Sequence, residues 1–126
     1  MLPAAGQGAL GIEVRADATV LGRLLAQTLA ELIDMPTWLA THAERAVSRS
    51  LGGSCIMPLA AHGHWHVDTL VLDAALGDPD TPTRPLLRAR RSGRPADAKA
   101  ASALGQAVAA QLQADGALAY LASAAA

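Results

Sequence analysis

Phenylalanine is absent from this chain of 126 residues, which also holds one tyrosine, two tryptophans and one cysteine. With so few large rings, any core must be built from leucine, valine, isoleucine and alanine, a palette that suits helices packed closely on a small sheet. A single cysteine excludes an intramolecular disulfide framework and suits a reducing compartment, so the cytoplasm is the expected location. No apolar run approaches the roughly 20 residues a bilayer span needs. Nor does charge of one sign dominate. Ten basic and eleven acidic residues give a formal charge of -1 and a pI near 6.4, which argues against nucleic-acid and membrane partners. The opening Met1-Leu2-Pro3-Ala4-Ala5-Gly6-Gln7-Gly8 has neither a basic start nor a continuous apolar stretch, so a secretory signal is not visible. Internal repeats are missing too.

What is there is apolar: 52% of residues are hydrophobic and 17% charged, with a mean hydropathy of +0.25. Much of that figure is alanine. The length suffices for one domain with its own core and is short for two. Residues 1–15 read as a glycine-punctuated loop running into a short strand, Ala9-Leu10-Gly11-Ile12-Glu13-Val14, without a partner strand nearby in the sequence. From Ala18 to Ile33 the residues Val20, Leu21, Leu24, Leu25, Leu29, Leu32 and Ile33 form one continuous helical stripe. Asp34-Met35-Pro36 breaks it, because the residue before a proline is pushed out of the helical region while proline itself suits a first turn. A second helix is predicted from Pro36 to Leu51, burying Trp38, Leu39, Ala43, Ala46, Val47 and Leu51 and stopped by Gly52-Gly53.

Beyond that stop the pattern changes to alternation and short apolar runs, predicting strands at Ile56–Trp65, Thr69–Leu76 and Pro85–Arg90. The turn signals His66-Val67-Asp68 and Gly77-Asp78-Pro79-Asp80-Thr81-Pro82 suit antiparallel connections. Pro95 opens a third helix with Ala101, Leu104, Val108 and Leu112 on its face, ending near Gly116, and Ala117–Leu121 adds a turn or two. The expected fold class is α+β, in the order α-α-β-β-β-α, with a three-stranded antiparallel sheet covered on one face by helices.

Cys55 lies in Leu51-Gly52-Gly53-Ser54-Cys55-Ile56-Met57-Pro58, a glycine-rich link between a helix and a strand. A lone cysteine serves either as a small buried hydrophobe or as a reactive group. Two glycines leave room beside the sulfur for something bulky. No His, Lys or Asp is tied to it by spacing, so a thiol-protease nucleophile has little support.

Two motifs carry a family resemblance. Leu2-Pro3-Ala4-Ala5-Gly6-Gln7-Gly8-Ala9-Leu10-Gly11-Ile12-Glu13 resembles the segment that closes the second domain of porphobilinogen deaminases (hydroxymethylbilane synthases) and returns to the first. Ala43-Glu44-Arg45-Ala46, followed by Leu51-Gly52-Gly53-Ser54-Cys55-Ile56-Met57-Pro58-Leu59-Ala60, resembles the third-domain signature of that family, although Ser54 stands where many members have glycine. The resemblance implies that residues 1–15 are a remnant of preceding domains and residues 16–126 a C-terminal cofactor-attachment domain. It implies that Cys55 binds a dipyrromethane cofactor through a thioether, in an enzyme that joins four porphobilinogen units into hydroxymethylbilane with loss of ammonia, a step of haem biosynthesis. A soft thiolate suits this role because it adds readily to an electrophilic methylene. The family's catalytic aspartate and most of its carboxylate-binding arginines lie in the first two domains. No catalytic residue is therefore expected in this chain, and by itself it should be inactive, should mostly lack the cofactor and should tend to form a homodimer through surfaces the other domains would cover.

Other residues have plainer readings. The resemblance places Gln7 near an active-site cleft, where it would donate to a pyrrole acid chain, but a simple turn explains it as well. Glu44 and Arg45 read as a solvated or salt-bridged helix face. His62, His64 and His66 share one strand face, and a solvent-facing polar row is preferred to a metal site, so no metal is expected. Arg84, Arg88, Arg90, Arg91 and Arg94 read as a charged edge strand that discourages edge pairing. The rival to the enzymatic reading is a non-enzymatic α+β interaction module in which Cys55 is inert.

Overall fold

The computed structural model describes residues 1–15, 19–53 and 57–124. The elements run α1 (Val20–Ala30), α2 (Met35–Ser50), β1 (Leu59–His66), β2 (Thr69–Leu76), β3 (Leu87–Gly93), α3 (Ala98–Ala114) and α4 (Ala117–Ala124). The three strands form one antiparallel sheet in the order β1-β2-β3, as the sequence predicts. Each of the first three helices starts on a side-chain cap: Thr19, Asp34 and Asp97 accept the N–H groups of Gly22, Thr37 and Ala100. The hydrogen bonds from Thr37 hold the Asp34 carboxyl below its usual range against a smaller desolvation effect.

Register puts Leu59, Ala61, Gly63 and Trp65 opposite Leu76, Ala74, Leu72 and Leu70. These residues face α2 and α3. The core is accordingly aliphatic, with Leu70, Leu72, Leu76, Leu112, Val47 and Val108 its largest fully buried side chains. Where α2 crosses α3 the contact surfaces are Ala43, Ala46 and Gly105, and a methyl group on Gly105 would stand 2.1 Å from the Ala43 carbonyl oxygen. Trp65 closes one end by donating its indole N–H to the Pro36 carbonyl at 3.0 Å.

At the other end, the β2–β3 connection is tied to α4. The buried Asp78 carboxylate accepts N–H groups from Asp80 and Thr81 and lies 3.1 Å from the Arg84 guanidinium. Burial by itself pushes the Asp78 carboxyl up, but the Arg84 hydrogen bond, the two backbone donors and the Arg84 charge outweigh it and hold the group below its usual range. Arg84 also lies over the Tyr120 ring at 3.8 Å, and the Tyr120 hydroxyl donates to the Pro85 carbonyl at 2.7 Å.

Several expectations need correction. The strand predicted at Ala9–Val14 is not formed, because the stretch finds no ladder partner among the described residues and leaves Leu10 and Ile12 exposed. The first helix ends at Ala30 rather than Ile33. Its last residues tighten into turns through Leu32 N–H to Leu29 O and Ile33 N–H to Ala30 O, and its apolar stripe meets no core: none of its residues is buried. Trp38 is 42% exposed rather than part of the buried face of α2, its ring lying beside His42 with centroids 4.3 Å apart. The third helix opens on Asp97 rather than Pro95. The last strand runs from Leu87 to Gly93, because Arg91, Ser92 and Gly93 continue the ladder opposite Leu72, Val71 and Leu70.

The β1–β2 turn contains one strained residue. Val67 has φ 56 and is 89% exposed, so a β-branched side chain sits in the left-handed region with no packing to offset a cost of roughly 1–2 kcal/mol. Val67→Gly should raise the thermal midpoint, with a gain of about 0.5–1 kcal/mol once the greater freedom of glycine in the unfolded chain is subtracted. A lower midpoint would show that the turn is not strained.

Candidate functional site

Cys55, with Ser54 and Ile56, lies outside the described residues, so the geometry around it is built from its flanks. The C-terminal end of α2 is closed by two glycines in left-handed conformations, Gly52 at φ 108 and Gly53 at φ 60, with the Gly53 N–H bonded to the Ser48 carbonyl at 2.8 Å. Any other residue at these positions would be strained. A methyl group on Gly53 would lie 4.0 Å from the Arg49 Cα, so the last described residue before the cysteine segment packs against Arg49.

Arg49 in turn lines an open cleft of about 1000 Å³ between residues 5–14, α1 and the outer side of α2. Its walls are mixed. Leu29, Ile33 and Trp38 supply apolar surface, Gly6 and Gly8 supply bare backbone, and Arg45 and Arg49, one helical turn apart, supply two guanidinium groups. Such a cleft suits an apolar ligand carrying carboxylates.

Glu44 and Arg45 separate here. Arg45 is exposed and lines the cleft. Glu44, expected on a solvated face, is 6% exposed. Its two carboxylate oxygens accept the N–H groups of Gly6 and Gly63, each at 2.6 Å, and His62 Nδ1 lies 3.7 Å from Oε1. Sequence reasoning placed Glu44 among surface charges, although it falls three residues before Val47 and four after Ala40, within the apolar stripe of α2.

The remaining candidates fall into place individually. Gln7 curls back on its own turn, its Oε1 accepting the Ala4 N–H at 3.2 Å. His62 and His64 stack on the open face of the sheet with ring centroids 6.0 Å apart, and His66 is exposed beyond them. Among the described residues no group of three or more acidic, His or Cys side chains is arranged to hold a metal ion. The arginines are spread over several partners rather than gathered in a patch: Arg84 on Asp78, Arg90 on Asp73, Arg91 on Gln111 and Arg94 on Asp68. The Asp73 hydrogen bond raises the already high Arg90 pKa further. Arg88 stands on the open sheet face beside Leu2. Among the described residues no helix is long and apolar enough to cross a membrane.

Residues 38–114 match the family profile of the porphobilinogen deaminase C-terminal domain. The chain belongs to the porphobilinogen deaminase family. It is 53% identical over 114 residues to a porphobilinogen deaminase of Albidiferax ferrireducens, covering 90% of this chain and 35% of that protein. Over 121 residues it is 50% identical to the porphobilinogen deaminase of Burkholderia thailandensis, covering 95% of this chain and 35% of that protein. The Bordetella parapertussis porphobilinogen deaminase is 49% identical over 124 residues, 96% of this chain and 36% of its own length. The chain thus spans about a third of the length of these relatives.

Proposed function

We propose that this chain is the cofactor-attachment part of a hydroxymethylbilane synthase, with Cys55 the residue that binds dipyrromethane. The observation that carries the reading is the family match over residues 38–114, which includes position 55, the chain's single cysteine. The described flank suits such a group: two residues without side chains, Gly52 and Gly53, precede the cysteine segment, and the cleft lined by Arg49 presents Arg45 and Arg49 to carboxylates. When bound, dipyrromethane supplies the primer on which porphobilinogen units are joined. The chain's own contribution is a soft sulfur that forms one stable C–S bond. In this reading residues 1–15 belong with preceding domains, residues 16–126 form the attachment domain, and the protein works in the cytoplasm.

The test is intact mass. Co-expressed with the N-terminal two thirds of the Albidiferax ferrireducens relative, the chain should gain the mass of two pyrrole units at Cys55. Expressed without that part it should remain mostly a free thiol and should not turn over porphobilinogen. An adduct at any other residue, or turnover by the homogeneous 126-residue chain, would overturn the assignment.

The exposed apolar residues of α1, with Leu10 and Ile12, favour self-association when nothing covers them. A homodimer of the isolated chain is the expected state. Sedimentation across a wide concentration range checks it, and a strict monomer would contradict it.

A further inference from the structure

We propose that Glu44 is a clasp that holds residues 3–8 as a strap on the edge of β1, fixing the Gly6–Gly8 turn relative to the rest of the domain. Both carboxylate oxygens are engaged, and by donors from two segments far apart in sequence, Gly6 in the strap and Gly63 in β1. Both donors are glycines. Gly6 is left-handed at φ 76, and a methyl group on Gly63 would stand 3.2 Å from both the Ala40 Cβ and a Leu70 methyl, so a side chain at position 63 would need these neighbours to give way by a few tenths of an ångström. A second contact lies two residues earlier on the same strand, where the Ala61 N–H donates to the Pro3 carbonyl at 3.1 Å. The Gly6 N–H is presented by a preformed turn, in which the Gln7 N–H bonds to the Ala4 carbonyl at 3.1 Å and the Gln7 side chain accepts the Ala4 N–H.

Apolar anchoring of the strap is slight. Ala5, half-buried like Pro3 and Gly6, packs against the core, while Ala4, Gln7 and Gly8 are exposed. A buried carboxylate with two short backbone donors is a strong and directional tie, because leaving either partner unpaired exposes a desolvated polar group. Gly6 and Gly8 line one wall of the cleft and Arg45, the residue after Glu44, lines another. The clasp therefore fixes the Gly6–Gly8 wall of the cleft relative to the α2 wall. It stands on geometry without the Cys55 assignment. Under that assignment, it fixes the turn relative to the α2 end that leads to the cysteine.

The test is amide hydrogen exchange by NMR on the 126-residue chain. In the wild type, the Gly6 amide should exchange at least about 100-fold more slowly than that of Gly11 in the exposed stretch beyond. In Glu44→Gln one acceptor oxygen and one NH2 donor replace two acceptors, so at least one of Gly6 and Gly63 should lose about tenfold or more of its protection while Leu72 in the central strand keeps its own. Three results would overturn the proposal: wild-type Gly6 exchanging as fast as Gly11, unchanged protection at both Gly6 and Gly63 in Glu44→Gln, or a loss at Leu72 equal to that at the two glycines, which would mark a general stability effect. If Glu44→Gln does not fold, the wild-type comparison decides by itself. A failure of the Cys55 reading would appear in the mass measurement and leave this exchange pattern intact.

Discussion

Gly105→Ala should destabilise the domain by on the order of 3 kcal/mol, despite alanine being the better helix former by about 1 kcal/mol. The reason is the crossing of α2 and α3. A methyl group at position 105 would sit 2.1 Å from the Ala43 carbonyl oxygen and 2.7 Å from the Ala46 Cβ, distances that only movement of one helix can relieve. The first obstacle is backbone, which has no rotamer to change. Separating the helices would open space around Val47 and Val108, both fully buried, and interiors tolerate such gaps poorly. Urea unfolding measures the effect, with Gln106→Ala as the neighbouring exposed control, expected within about 0.5 kcal/mol of wild type. A Gly105→Ala midpoint equal to that of the control would mean that α2 and α3 do not pack this closely.

Cys55→Ala should abolish cofactor attachment completely in the co-expressed protein while costing the domain far less than the roughly 2–5 kcal/mol of a core leucine. Loss of attachment follows from the chemistry: no other side chain of the chain is a thiol, and neither serine nor the backbone supplies a nucleophile of comparable softness near neutral pH. Intact mass reads the attachment and thermal unfolding reads the stability. The pair of measurements separates the two readings of a lone cysteine. Loss of the adduct with an unchanged midpoint supports an attachment point, whereas a fall of core-leucine size with the adduct retained elsewhere supports a buried hydrophobe.

Much of the fold is legible in the sequence, because its aliphatic residues follow the periods of helix and strand. The helix-facing residues Leu70, Leu72, Ala74 and Leu76 of β2 alternate along the strand, although Ala75 between the last two is buried as well. In α2, the buried Leu39, Ala43, Ala46 and Val47 follow helical spacing. What periodicity cannot say is whether a stripe finds a partner. The stripe of α1 is as regular as that of α2, yet none of the helix's residues is buried. The site is legible in a different way, through two motifs rather than through geometry. Glu44 was hidden because a glutamate on a helix is ordinarily solvated, and the donors that make its burial tolerable come from Gly6 and Gly63, neither of which is near it in sequence. Arg45, read with it as part of a charged helix face, is exposed and lines the cleft.

The tie between the β2–β3 connection and α4 also bears on the order in which the domain is made. The Asp78–Arg84 pair is complete as soon as that connection exists, but Tyr120, which receives Arg84 on its ring and bonds to Pro85, is synthesised after every residue of the sheet. On a ribosome adding roughly 5–20 residues per second, the connection is therefore held by its own aspartate and by backbone bonds such as Arg84 N–H to Thr81 O until the C-terminal helix emerges. Its final order waits on translation rather than on its local sequence.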